Sequence, residues 1–178
     1  MVVRFAFAFL SATSLIAGCG GISVNLAEKD EKQVAVMGLN QMGDMNKIRF
    51  EHVAINVEDP AAMAKWYCRN LGMRIVRKGP APVNARFISD AAENMMLELY
   101  NNPPDAVPDY ASMDPLLLHI AFMVEDVKGI REKLIAAGAI PVGDVTVTPN
   151  GDEIAVLRDP WALAIQFVKR AEPMLPYR

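Results

Sequence analysis

The chain of 178 residues contains only two histidines and two cysteines, and aromatic residues make up 7% of it. Two cysteines are too few for the dense disulfide framework of small secreted domains. Positive charge is not in excess either, because 18 Lys and Arg stand against 21 Asp and Glu, and the sequence has no Gly-rich phosphate loop. We therefore expect no disulfides and no nucleic-acid partner.

Each of the two histidines begins the same short phrase. His52 begins His-Val-Ala-Ile-Asn-Val-Glu-Asp, and His119, 67 residues later, begins His-Ile-Ala-Phe-Met-Val-Glu-Asp. Similarity at a fixed spacing indicates a duplicated structural module. Because histidine is the commonest metal ligand and acid or base side chain, the duplication points to a site where two halves meet.

The N-terminal segment differs from the rest of the sequence. Arg4 is its first charge, an apolar or small run extends from Phe5 to Ala17, and Ile-Ala-Gly-Cys ends it at Cys19. This order resembles a bacterial lipobox and predicts a lipoprotein-type signal peptide at residues 1–18, with Cys19 lipidated as the mature N-terminus. The protein would then be anchored to the membrane of the cell envelope, facing the periplasm or the exterior. The alternative is translation from Met45, which would make the protein cytoplasmic.

The remaining sequence predicts one α+β domain at residues 48–170, preceded by a tether at 19–47 and followed by a tail at 171–178. Its two modules, 48–100 and 117–168, share the order strand, helix and three strands, and a proline-rich stretch at 101–116 joins them. Helices are predicted after Asp59 and Asp126, ending at Gly72 and Gly138. The predicted strands are 48–57, 73–78, 85–89, 95–100, 117–124, 140–147, 152–158 and 162–168.

Alternation along the first and last strands of each module separates two faces. One face is uniformly apolar and suits packing under a helix. The other is interrupted in each strand by one strong polar group, and these four are His52, Glu98, His119 and Gln166. Related pairwise by the repeat, the four side chains are predicted to meet near one axis. A buried carboxylate is costly unless it is paired or bound to metal, so one cluster explains them better than four separate exceptions.

These motifs resemble those of the vicinal oxygen chelate superfamily, which includes glyoxalase I, methylmalonyl-CoA epimerase, extradiol dioxygenases, and fosfomycin and bleomycin resistance proteins. The resemblance covers about residues 48–168 and rests on the two histidine phrases and on Trp66-Tyr67, Leu71-Gly72, Leu97-Glu98-Leu99, Ala137-Gly138 and Asp159-Pro160. It implies the glyoxalase/bleomycin resistance fold, with two βαβββ modules in a curved, barrel-like mixed sheet and the helices outside.

The same resemblance implies a divalent metal cofactor, one of Ni, Co, Zn, Mn or Fe(II). The implied ligands are His52, Glu98, His119 and Gln166, with open positions for oxygens of a small-molecule substrate. Many metal-dependent members carry Glu where this chain has Gln166, and an amide can bind metal through its oxygen but cannot accept a proton. Gln166 is thus either a ligand or a hydrogen-bonding group behind the ligands. Ala162 also stands where the family often has Gly.

The resemblance implies a glyoxalase-like lyase or isomerase that works through an enediolate-type intermediate, with Glu98 as the catalytic residue that transfers the proton. The alternative is a binding protein that holds a small ligand without turnover, as bleomycin-resistance members do. A dioxygenase is a third option, which the lack of a third histidine disfavours. A homodimer is compatible with this architecture. Glutathione and CoA thioesters are mainly cytosolic, so an envelope protein would act on a different substrate.

The lipid anchor gives a direct test. We expect Cys19→Ser to release the protein from the membrane fraction, because only the lipidated thiol would hold it there. Fractionation of cells that express the full chain, with Cys68→Ser as the matched control, measures this. A Cys19→Ser protein that stays as membrane-bound as the wild type would contradict the lipobox interpretation.

Overall fold

Two separate β-sheets, each backed by one helix, make up the described part of the chain, which is residues 48–175 of a computed structural model. The predicted signal peptide, Cys19, the tether and Met45 lie outside these residues. Within the described part, neither helix is long and apolar enough to cross a membrane.

The first module begins its helix where the sequence predicts it. The Asp59 carboxylate accepts the backbone N–H groups of Ala61 and Ala62 at 3.0 and 2.9 Å, and Pro60 occupies the first turn, where no N–H is needed. Gly72 ends the helix in the left-handed conformation, with φ 70°. The elements are β1 (His52–Asn56), α1 (Pro60–Leu71), β2 (Arg74–Lys78), β3 (Arg86–Ser89) and β4 (Met96–Tyr100).

The second module repeats this order with one difference. The Asp126 carboxylate accepts the N–H of Gly129 at 2.9 Å and so caps its helix. The single strand predicted at 140–147 is wrong: two short strands form there, separated by a turn in which Gly143 has φ 77°. The elements are β5 (Ile120–Met123), α2 (Val127–Ala136), β6 (Ile140–Pro141), β7 (Thr146–Val147), β8 (Glu153–Arg158) and β9 (Ala164–Lys169).

The strand order of the two sheets is equivalent. The first sheet runs β1-β4-β3-β2 and the second β5-β9-β8-β6, with β7 also pairing with β8. In each sheet the first and last strands of the module lie side by side and parallel. This confirms the predicted α+β class, but the predicted single barrel-like sheet is not formed. No hydrogen-bonded pairing joins the two sheets within the described residues, so the sheets stay open and distinct.

The modules are joined instead through their helices and the turns beside them. Trp66 on α1 donates its indole N–H to the Ala137 carbonyl oxygen at 2.9 Å, just past the end of α2. In return, the Lys133 ammonium donates to the Asn70 carbonyl oxygen at 2.7 Å. Apolar residues from both modules contribute to one continuous core between these elements. Helix contacts therefore take the place of the expected strand pairing.

Tyr67 and Asp159 form the most deeply buried polar link between the modules. The Tyr67 hydroxyl donates to the Asp159 carboxylate at 2.8 Å, and Asp159 is 1% exposed. The other carboxylate oxygen accepts the backbone N–H groups of Trp161 and Leu163 at 2.9 and 3.0 Å. Burial raises the pKa of Asp159 to about 6, although these hydrogen bonds act in the opposite direction.

The same turn contains Ala162, which stands where the family often has Gly. Ala162 has φ 65°, a left-handed conformation that glycine adopts more readily. Its backbone is held on both sides, because its N–H donates to the Asp159 carbonyl oxygen at 2.8 Å and its own carbonyl accepts from Arg158 at 2.9 Å. The turn thus keeps the glycine-like geometry with an alanine in place.

The pKa of Asp159 predicts a pH-dependent stability. Its carboxyl group keeps its proton in the folded state up to about pH 6, whereas the unfolded group ionises near 3.8. The stabilisation is therefore complete below pH 3.8 and is lost as the pH rises to about 6. We expect this group to contribute a loss of up to about 3 kcal/mol in unfolding free energy across that range.

Asp159→Asn isolates this contribution, because the amide keeps an acceptor for the backbone N–H groups and does not ionise. Urea denaturation between pH 4 and 7 measures the unfolding free energy of both proteins. As the pH rises, the unfolding free energy of the wild type should fall relative to that of Asp159→Asn. Parallel pH profiles for the two proteins would contradict the assignment.

Candidate functional site

His52 and Glu98 lie together on the solvent-facing side of the first sheet. The Nε2 atom of His52 is 3.3 Å from a carboxylate oxygen of Glu98, and the two side chains are 35% and 24% exposed. Their strand neighbours Val53, Leu97 and Leu99 face the other way, into the core around α1. The alternation predicted from the sequence therefore holds, and it delivers an imidazole and a carboxylate to the same open face.

The second sheet repeats this arrangement in its hydrogen-bond register. Ala54 on β1 is paired with Glu98 on β4, and Ala121 on β5 is paired with Gln166 on β9. Each histidine stands two residues before its alanine, so His119 is related to Gln166 as His52 is related to Glu98. Since residues i and i+2 share a face, the two polar pairs occupy equivalent positions in the two modules.

His52 is held by three neighbours. Its Nδ1 atom contacts the Glu51 carboxylate, its Nε2 atom faces Glu98, and the Phe87 ring meets it edge-on with centroids 5.7 Å apart. The hydrogen bond that the His52 ring donates to Glu51 raises the pKa of His52, burial lowers it, and the negative charges of Glu51 and Glu98 raise it further. Two carboxylates therefore stabilise a positive charge at this position, whether it is a proton or a cation.

His119 lies just before β5 and is half-buried. Its Nδ1 atom is 2.8 Å from the carbonyl oxygen of Pro115, at the end of the inter-module connection. A carbonyl oxygen can only accept, so Nδ1 carries the proton and Nε2 is left as the nitrogen able to bind a metal. Gln166, also half-buried, sits on β9 between Ala121 and Val156.

The structure thus brings His52 and Glu98 into contact, and it places His119 just before β5 and Gln166 on β9 of the other sheet. Among residues 48–175, no three His, Cys, Asp or Glu side chains lie close enough together to hold a metal ion. The donor types still suit one, because two imidazoles, a carboxylate and an amide oxygen are common ligands of divalent transition metals. Each module carries half of such a donor set.

The family model of the glyoxalase/bleomycin resistance protein/dioxygenase superfamily matches residues 49–167, about two thirds of the chain. The chain belongs to this superfamily. No significant match is found among curated proteins.

Several solved structures share its fold. A glyoxalase family protein from Bacillus cereus is 17% identical with a TM-score of 0.61, and the match covers 70% of this chain and 95% of that one. TnmS3, an antibiotic binding protein from Streptomyces sp. CB03234, is 18% identical with a TM-score of 0.56, covering 70% and 97%. Glyoxalase I from Zea mays is 23% identical with a TM-score of 0.57, and the match covers 70% of this chain but 45% of the maize chain. At these identities the likeness establishes the fold alone.

Two features of this superfamily member were missed by sequence reasoning. Strand alternation would send Glu51 to the face opposite His52, so its contact with the imidazole was not foreseen. A cavity of about 610 Å³ lies beside β5 between the modules, and its apolar lining includes Leu97, Phe122 and Phe167. None of the four predicted metal ligands lines that cavity, although Ala121 and Met123 do. No sequence signal could have located it, because residues from both modules form its walls.

Proposed function

We propose that the protein is a metal-dependent, glyoxalase-like lyase or isomerase that acts on a small substrate with adjacent oxygen atoms. The observation that carries this proposal is the contact of 3.3 Å between His52 Nε2 and the Glu98 carboxylate on an open sheet face. Gln166 has the same register position in the second module as Glu98 has in the first, so the second module offers the other half of the ligand set. When bound, a divalent metal would polarise the substrate oxygens as a Lewis acid.

The four side chains take different roles. His52 and His119 each offer an imidazole nitrogen to the metal, and in His119 this is Nε2, because Nδ1 is hydrogen-bonded to the Pro115 carbonyl. Glu98 is the one carboxylate of the set, so it both binds and carries the proton between two positions on the substrate. Gln166 contributes an oxygen and leaves the substrate proton alone.

The complete site is proposed to form between two copies of the chain. In the described residues, β1 pairs with β4 and β5 with β9, and each of these two strands forms an edge of its sheet. The faces next to these edges carry small exposed side chains, Ala54 on β1 and Ala121 on β5. A two-fold dimer that joins β1 of one copy to β5 of the other would cover both edges and face the two polar pairs toward each other.

Mixing two inactive variants tests the metal and the dimer together. We expect His52→Ala and His119→Ala, each alone, to lose high-affinity cobalt(II) binding. A mixed dimer keeps one intact site, made from the unmodified module of each copy. After the subunits exchange at random, about a quarter of the wild-type cobalt(II) capacity should return. Absorption spectroscopy of bound cobalt(II) measures it.

The matched control mixes His52→Ala with the double variant His52→Ala/His119→Ala, in which no combination restores a site. Wild-type protein that binds cobalt(II) while the mixed variants recover nothing would place the site within one chain and refute the dimer. Wild-type protein that binds no divalent metal would refute the proposed enzyme.

A binding protein without turnover is the second candidate. Two observations favour it: Gln166 lacks a proton-accepting group, and an antibiotic binding protein has the same fold. In that case the open sheet faces would enclose a ligand, and Glu98 would hold it by hydrogen bonds.

The role of Glu98 separates the two candidates. We expect the metal-loaded wild type to exchange the α-proton of suitable α-hydroxycarbonyl compounds with D₂O, as followed by proton NMR. Glu98→Gln keeps an oxygen ligand but cannot accept a proton, so exchange should slow by about 100-fold or more while cobalt(II) still binds. Gln166→Glu is the matched control, and it should not abolish exchange. Tight ligand binding without exchange in the wild type would support the binding protein instead.

A further inference from the structure

Glu51 sits next to the half-site and has no role in the proposed reaction. It lies one residue before β1, and its carbonyl oxygen accepts the N–H of Met96 on β4 at 3.0 Å. Its backbone is therefore fixed against the neighbouring strand. Its side chain turns back to the open face, where the carboxylate contacts Nδ1 of His52. The Glu51 side chain is 63% exposed and could adopt many solvated orientations, yet its carboxylate contacts the imidazole.

The contact determines which nitrogen of His52 carries the proton. An ionised carboxylate only accepts hydrogen bonds, so Nδ1 must be the donor. In the neutral ring the lone pair then lies on Nε2, because Glu51 is the hydrogen-bond partner of the ring, and the 3.3 Å contact of Nε2 with Glu98 becomes an ion pair only when the ring is also protonated there. The edge-on contact with Phe87, at 84° between the ring planes, restricts rotation of the imidazole. The hydrogen bond and the aromatic contact together fix both the tautomer and the direction of Nε2.

The second histidine achieves the same tautomer by other means. Nδ1 of His119 donates to the Pro115 carbonyl, which is neutral and part of the backbone. Only His52 has an anionic partner, and a carboxylate makes the opposite nitrogen a stronger metal donor than a carbonyl does. The two modules therefore differ in what supports their histidines, in addition to the difference between Glu98 and Gln166.

We infer that Glu51 is a positioning residue that fixes His52 as the Nδ1–H tautomer and leaves Nε2 as its metal-binding nitrogen. The metal part of this inference rests on the proposed function. The tautomer part does not, since it concerns the metal-free protein. Glu51 itself touches neither metal nor substrate and acts only through His52.

The tautomers can be read directly from long-range ¹H–¹⁵N NMR spectra of the metal-free protein. The chain has two histidines, so His119 serves as an internal reference in every spectrum. The spectra are recorded at about pH 9.5, three units above the ordinary imidazole pKa of about 6.5. We expect Nδ1–H for both histidines in the wild type. Glu51→Ala should move His52 toward the Nε2–H form that predominates in water, with His119 unchanged.

Two further variants separate the hydrogen bond from the charge. Glu51→Gln keeps an acceptor oxygen and should keep the Nδ1–H tautomer, whereas Glu132→Ala, an exposed glutamate on α2, should change nothing. In cobalt(II) titrations, Glu51→Ala should bind about 10- to 100-fold more weakly than the wild type, with Glu51→Gln between them.

The outcomes distinguish the inference from the proposed function. An unchanged His52 tautomer in Glu51→Ala overturns the inference, whatever the metal affinity. Wild-type protein that binds no cobalt(II) overturns the proposed function, and a tautomer shift in the same protein would still support Glu51 as the group that orients His52. A merely structural loss would weaken Glu51→Ala and Glu51→Gln alike and would disturb His119 as well, and that pattern also overturns the inference.

Discussion

The parallel pairing of the first and last strands of each module is the constraint on which the site depends. It sets Ala54 opposite Glu98 and Ala121 opposite Gln166, so a repeat in the sequence becomes a repeat in space. A shift of one residue in either register would turn the polar side chain into the core and an apolar one toward solvent. The buried leucines on either side of Glu98 oppose such a shift, because exposing them would cost about 2 kcal/mol each.

The junction between the modules explains why each polar pair lies outside the shared core. The modules meet through Tyr67 and Asp159 in the core, and through the hydrogen bonds that Trp66 and Lys133 make nearer the surface. These contacts occupy the helix side of both sheets. The opposite faces of the sheets carry the polar pairs, and β1 and β5 each form an edge of their sheet. The proposed second copy would bring together the two halves of the metal site, which one chain presents on separate sheets.

The helices and strands could be predicted from the sequence because they depend on neighbouring residues. Features that depend on contacts between distant residues could not. Asp59 and Gly72 bound the first helix because capping depends on neighbouring backbone groups, and alternation assigned the faces of β1 and β4 correctly. The separation of the two sheets could not be foreseen, since it depends on how the helices pack against each other. The contact of Glu51 was hidden for a different reason: it lies just outside β1, where alternation no longer dictates direction.

The net charge of the proposed metal site depends both on the Glu51 carboxylate behind His52 and on the neutral amide of Gln166. A divalent cation held by two neutral imidazoles, Glu98 and Gln166 would retain one net positive charge, whereas two carboxylate ligands would cancel it. That positive charge would favour a substrate whose oxygens become more negative during the reaction. Glu51, hydrogen-bonded to the outer nitrogen of His52, supplies a second negative charge one imidazole away from the metal. The resting site would then be close to neutral overall without a second carboxylate ligand, and Glu98 would remain the one group in the ligand set able to take up a proton.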